Sequence, residues 1–221
     1  CILVFVAAGY FVVMETETGQ DLFLDRLLSV MTQNQQTAPV DGLDVYICGA
    51  SSPLSTTGNA QSCVFIIAGD RSFVVDTGPG SPRVIRRLGL PLNNLEAVLL
   101  THFHGDHISA LGDVNFNSWV AGRGKKLTVM GPEGVDLVVN GFNQAYSLDS
   151  SYRTRHHGWD ILPLEYSVMQ SKTIEAGLVF EEDGLSIRAF RVDHSPIEPA
   201  VGYRFDYKGR SVAVSGDSIV T

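Results

Sequence analysis

The chain has 221 residues, 44 % of them hydrophobic, enough for one substantial core and too few for several. Its net charge is −8 and its isoelectric point is about 5.1. That balance gives no general support for nucleic-acid binding, which draws its affinity from Lys and Arg on phosphates, although a local basic cleft can exist on an acidic protein.

Cys1 to Val13 is an apolar run without charge. It is short for a membrane span, which needs about 20 residues, and residues 1–14 read as the remnant of a secretory signal or membrane anchor. On that reading the protein is exported or membrane-anchored; a buried strand of the fold is the alternative. Residues 15–42 are polar apart from an amphipathic patch at Leu22 to Met31, and read as a tether and linker. Neither end looks like the natural limit of a domain, so the chain reads as part of a longer protein.

From residue 43 the pattern is mixed α/β. Leu43 to Cys48 is a predicted strand, followed by a Gly/Ser/Thr-rich loop to Asn59. Cys63–Ala68 and Ser72–Val75 form a predicted hairpin around Gly69-Asp70. Asp76 to Gly80 breaks the strand. Ser81 and Pro82 then open a helix to Leu88, as cap and first helical residue. Ala97–Leu100 is a buried strand, Leu127–Met130 another, and Pro132–Tyr146 a helix. Ser151 to Trp159 reads as an aromatic-rich loop. The last part is a meander: Leu178–Glu182, Leu185–Val192, Ala200–Tyr207 and Ser211–Val214, with turns at Asp183-Gly184 and Lys208-Gly209.

The chemistry concentrates at His102-Phe103-His104-Gly105-Asp106-His107, directly after the Ala97–Leu100 run. Three imidazoles and a carboxylate this close need partners for their polar atoms, and a pair of divalent ions is the economical one. Val192-Asp193-His194-Ser195-Pro196 and Ser215-Gly216-Asp217-Ser218 place a fourth histidine and a second aspartate beyond two more apolar strands. Asp76, in Val74-Val75-Asp76-Thr77-Gly78, follows a strand in the same way.

On these motifs the chain, from about residue 43 to 221, resembles the metallo-β-lactamase superfamily, within it the ribonuclease Z and arylsulfatase-like branch. The resemblance implies an αβ/βα sandwich of which this chain holds only part, leaving a large apolar face uncovered. It implies two zinc ions: one on His102, His104 and His194, the other on Asp106 and His107, with Asp217 bridging. Asp76 would support a ligand-bearing loop by hydrogen bonding. A further ligand histidine, expected well downstream of Asp217, has no candidate here. The implied chemistry is attack by a water activated between the ions, with Asp106 orienting it.

The substrate is less legible. Phosphodiester or sulfate-ester cleavage of a small anionic substrate by an exported enzyme is the first expectation. Cytoplasmic tRNA 3′-end processing is the second, and an inactive membrane-tethered binding protein of the same fold is the non-enzymatic third. A lactonase reading is weaker, since Ile108-Ser109-Ala110 replaces the usual glycine pair. Superfamily members are commonly homodimers. Arg153, Arg155, His156 and His157 are candidate contacts to an anionic substrate, whereas Arg123, Lys125 and Lys126 read as a solvated basic face. Cys48 and Cys63 read as buried thiols, or as a disulfide if the domain is exported. No cysteine follows residue 63, which disfavours the β-lactamase classes with a cysteine ligand.

Overall fold

The structure, a computed structural model, describes residues 16, 18–21, 41–54 and 58–219. The chain divides into two compact units, 1–38 and 39–221. Of the first, the described residues form a helical turn in which Thr16 Oγ1 accepts from the Gly19 N–H at 3.1 Å. The expected anchor at 1–14, and all of the tether except 16, 18–21, 41 and 42, lie outside the described residues. Among those described, no helix is long and apolar enough to cross a membrane. Asp41 and Gly42 already bond into the second unit: Tyr207 donates its hydroxyl to Asp41 Oδ1, and Gly42 O accepts from Gly69 N–H.

The second unit is layered. Strands β1 (Leu43–Gly49), β2 (Cys63–Ala68), β3 (Arg71–Val75), β4 (Leu95–Leu99), β5 (Leu127–Gly131) and β6 (Met169–Thr173) form one sheet in chain order. The pairs β1–β2 and β2–β3 are antiparallel, and β3 through β6 run parallel. Parallel neighbours need long crossovers. These carry helices α1 (Ser81–Arg87), α2 (Gly105–Ile108), α3 (Leu111–Val120) and α4 (Val135–His157). Strands β7 (Gly177–Glu182), β8 (Leu185–Arg191), β9 (Val201–Tyr207) and β10 (Arg210–Val214) make a second, antiparallel sheet.

Strand periodicity divides the core in two. On β2, Phe65 and Ile67 point into the cluster shared with the helices, while Ile66 and Ala68 point into the cluster between the sheets. The same alternation separates Val98 from Ala97 and Leu99 on β4, so a strand buried on both faces reads as an unbroken apolar run. Phe73 meets Phe180 and Phe205 edge-to-face, with centroids 5.5 and 5.7 Å away, and ties the sheets together.

Several expectations change. The second sheet does not expose a large apolar face: Arg188, Arg204 and Asp206 alternate with its buried residues, and Arg204 forks onto Asp206. Ser81 is not the cap of α1. Gly80 holds that position at φ 84°, and Ser81 is itself helical. The Ser151–Trp159 loop is instead mostly the end of α4, which continues to His157 because buried Thr154 donates its hydroxyl to Leu162 O at 2.8 Å. Cys48 and Cys63 form a disulfide closing a 15-residue separation, rather than two buried thiols. A cross-link of that span is worth about 3 kcal/mol.

Candidate metal centre

Topology brings the ligand candidates to one edge. Strands β3 and β4 are parallel, so Asp76 and the His102 motif emerge together. Strands β8 and β10 both run antiparallel to β9, so His194 and Asp217 leave their strands in the same direction. Loops at the carboxyl ends of parallel strands are where layered α/β folds place their sites. Val201 N–H, at the start of β9, bonds Thr101 O at 3.0 Å and locks the two sheets together at this edge.

The imidazoles of His102, His104 and His194 converge, each offering one nitrogen, and these atoms lie within 4.8 Å of one another. His102 Nε2 faces His104 Nδ1 at 3.0 Å, and the His194 ring lies 4.7 Å from that of His102. A second group, His102, His107 and Asp217, meets the same limit. His107 Nε2 is 3.4 Å from Asp217 Oδ1 and 3.6 Å from Asp106 Oδ2. All six ligand candidates are therefore in one cluster, with Asp106 joined to it through His107. Among the described residues, His194 Nε2 is buried and has no hydrogen-bond partner. An unpaired buried nitrogen among converging imidazoles is what a divalent ion would satisfy, and neutral imidazole with carboxylate suits zinc.

Beneath the cluster lies Asp76, buried at φ 58°, a left-handed conformation that is uncommon for a residue with a side chain. Its Oδ1 accepts from Thr101 N–H at 2.9 Å. Its Oδ2 accepts from the Thr101 hydroxyl at 2.9 Å, His107 Nδ1 at 2.8 Å and the Ser62 hydroxyl at 3.4 Å. Burial opposes the charged form of His107, but the hydrogen bond and attraction of Asp76, then Asp217 and Asp106, outweigh it and raise its pKa. His102 moves the other way, to about 4, through burial and then repulsion from His107, His194 and His104. It is held neutral, the form in which imidazole binds a metal.

Two residues outside the expected set shape the loops. Asp193 Oδ1 accepts from both the backbone N–H and the hydroxyl of Ser195, at 3.0 and 2.8 Å, an Asx turn around His194. The Ser195 backbone and side-chain hydrogen bonds lower its pKa. The Asp-x-Ser spacing carries that signal in the sequence. Gly78 packs so closely that a Cβ there would sit 2.2 Å from Asp106 O and 2.6 Å from Gln61 C, so only glycine seats the ligand loop.

The basic candidates fare differently. Arg153 pairs with Asp149 at 2.8 Å and lies over Phe116, and Arg155 lies over Tyr152. The His156 and His157 rings contact each other. None of these partners belongs to the histidine cluster. Arg123 is not on a solvated face: it is 2 % exposed and donates to Lys125 O, Ser118 Oγ, Asn115 Oδ1 and Tyr166 O. Burial lowers its pKa to about 10. Lys125 pairs with Glu96.

Residues 56–221 match the Metallo-beta-lactamase superfamily. The chain belongs to this superfamily. It is 34 % identical over 180 residues to the ribonuclease Z of Mycolicibacterium gilvum, covering 80 % of this chain and 62 % of that protein. The ribonuclease Z of Mycobacterium bovis BCG is 35 % identical over 180 residues, with 80 % and 63 % covered. The chain thus spans less than two thirds of the length of these relatives. Human tRNase Z, short form, superposes with a TM-score of 0.58 at 19 % identity, covering 78 % of this chain and 68 % of that one, a likeness of fold.

Proposed function

We propose that this chain carries the metal-binding part of a hydrolase that cleaves phosphodiester bonds in RNA, with the 3′ end of precursor tRNA as substrate. The kinship to ribonuclease Z, 34–35 % identity over 180 residues, carries this reading over small-ester hydrolysis. The relatives lend nothing to sulfate esters. His102, His104 and His194 would hold one ion, and Asp106 and His107 a second, with Asp217 between them. When bound, such ions lower the pKa of water and offset charge on the phosphoryl oxygens. The chain's own contribution is to orient. The Asp106 side chain is 12 % exposed and its Oδ2 lies 3.6 Å from His107 Nε2, so the carboxylate stands at the cluster, where it would accept a hydrogen bond from the attacking water and orient it. Asp76 keeps the His107 ring turned so that Nε2 faces Asp106 and Asp217. Full-length, zinc-loaded protein should cut a precursor tRNA bearing a 3′ trailer at near-physiological salt far better than it turns over bis-aryl phosphates. A preference for bis-aryl phosphates overturns the substrate; protein without zinc or turnover points to the binding-module reading.

One observation favours a second reading. The Cys48–Cys63 disulfide suits an oxidising compartment, whereas tRNA processing takes place where thiols stay reduced. An exported hydrolase of small phosphoesters fits that bond. Thiol counting on protein denatured without reductant, isolated from its native cell, separates the two.

A further inference from the structure

We infer that Thr101 is the positioning residue that fixes the ring tautomer of His102, and so aims its Nε2 at the metal centre. Thr101 has one hydroxyl proton. As a carboxylate Asp76 can only accept, and Thr101 Oγ1 lies 2.9 Å from Asp76 Oδ2, so that proton is committed to Asp76. The oxygen's lone pairs then meet His102 Nδ1 at 3.1 Å. Nδ1 must carry the ring proton, because the reverse arrangement would leave two oxygen acceptors facing each other without a hydrogen between them. The lone pair of His102 is thereby placed on Nε2, which faces His104. One carboxylate sets two histidines: His107 directly at 2.8 Å, and His102 through the threonine hydroxyl.

Thr101 also seats the other ligand loops. Its carbonyl accepts from Val201 N–H, beyond the His194 turn. Gly216, just before Asp217, has φ +64° and lies so close that a Cβ would stand 2.7 Å from Thr101 Cβ and 2.8 Å from Oγ1. The hydroxyl and its methyl partner are therefore both used, one for the tautomer and the other for packing.

The consequence for metal affinity rests on the metal-centre reading, but the tautomer does not. The test uses full-length wild type, Thr101→Val and Thr101→Ser, each with and without zinc. Long-range proton–nitrogen correlation of the histidine rings reports which nitrogen is protonated, and competition with a chromophoric chelator reports zinc affinity. Wild type and Thr101→Ser should both show His102 protonated at Nδ1, and Thr101→Ser should bind zinc within about threefold of wild type. Thr101→Val, similar in shape but without the hydroxyl, should lose that signature and bind zinc about 10–100-fold more weakly. A Thr101→Val protein that keeps the Nδ1–H signal and wild-type affinity overturns the inference. Should that variant fail to fold, wild type alone decides: a His102 protonated at Nε2 overturns it. A wild type that binds no zinc sinks the metal reading instead, and the ring signal without metal still judges Thr101.

Discussion

Asp76 Oδ2 accepts from His107 Nδ1 at 2.8 Å, with both side chains 1 % exposed. The same carboxylate takes three further hydrogen bonds, two from Thr101 and one from Ser62. Every contact is a donor pointing at an acceptor-only group. Asp76→Asn would put an amide N–H₂ against these donors in whichever orientation it adopts. It should destabilise the fold by about 2–4 kcal/mol, as for a buried charged hydrogen-bond network broken on one side. Zinc affinity should fall about 10–100-fold. Urea unfolding with chelator present isolates the first effect, and metal competition the second; an Asp76→Asn protein of wild-type stability would show that the network is not holding the loop.

His194 supplies a test through metal removal. Its buried Nε2, without a hydrogen-bond partner among the described residues, costs about 1–3 kcal/mol in the metal-free fold, a cost that an ion removes. Zinc at 100 times its Kd should stabilise the protein by about 2.7 kcal/mol, seen as a rise in Tm. In full-length protein, His194→Ala should lower bound zinc from about two per chain to about one. Unchanged stoichiometry by atomic absorption would remove His194 from the ligand set.

Phe73 tests the layering. It is 0 % exposed and touches an aromatic ring on each of two strands of the second sheet. Phe73→Ala should cost about 3–5 kcal/mol. If the loss is below about 1 kcal/mol, the two sheets do not share this core.

What was legible in the sequence was what local chemistry dictates. The β2–β3 hairpin follows from Gly69-Asp70 between apolar runs, and the metal motif from its donor density. Asp76 was readable as a strand-end carboxylate. The misses have physical causes. Strand β6 is an edge strand with Gln170 to Thr173 exposed, so no apolar alternation marks it. Helix α3 contains Gly112, Asn115 and Ser118, residues that disguise a helix. Gly112 is there because a Cβ would lie 2.2 Å from the Tyr146 ring of α4, and Asn115 and Ser118 because they receive Arg123. Arg123 itself looked like surface charge, since nothing local announces a guanidinium whose acceptors lie as far along the chain as Tyr166. Thr101 escaped notice for the same reason: its partner is 25 residues away.

Arg123 gives a prediction that separates structure from substrate binding. Arg123→Met removes the donor to two buried side-chain acceptors, Asn115 Oδ1 and Ser118 Oγ, and to Tyr166 O. It should destabilise the protein by about 2–4 kcal/mol. Exposed Lys126→Ala should stay within about 0.5 kcal/mol. At a temperature where both are folded, neither should change the salt dependence of RNA binding. A reduced salt slope in Arg123→Met would return this residue to the basic surface.

The end of α4 offers the complementary case. Arg153 is half-buried, paired with Asp149 and stacked on Phe116, and Arg155 is exposed beside Tyr152, so both guanidiniums stand among aromatic rings near the helix C-terminus. If precursor tRNA is the substrate and its backbone crosses this patch, each arginine neutralises one phosphate. The slope of log affinity against log salt should then be about 2 shallower in Arg153→Ala/Arg155→Ala, one unit for each lost contact. Turnover of a bis-aryl phosphate, which has no extended backbone to lay across these arginines, should change less than twofold, while precursor-tRNA cleavage at about 150 mM salt falls at least tenfold. Both substrates losing equally would mean that the double variant disturbs α4 itself. An unchanged slope with intact tRNA cleavage would take Arg153 and Arg155 out of the RNA path and leave them as a solvated helix end.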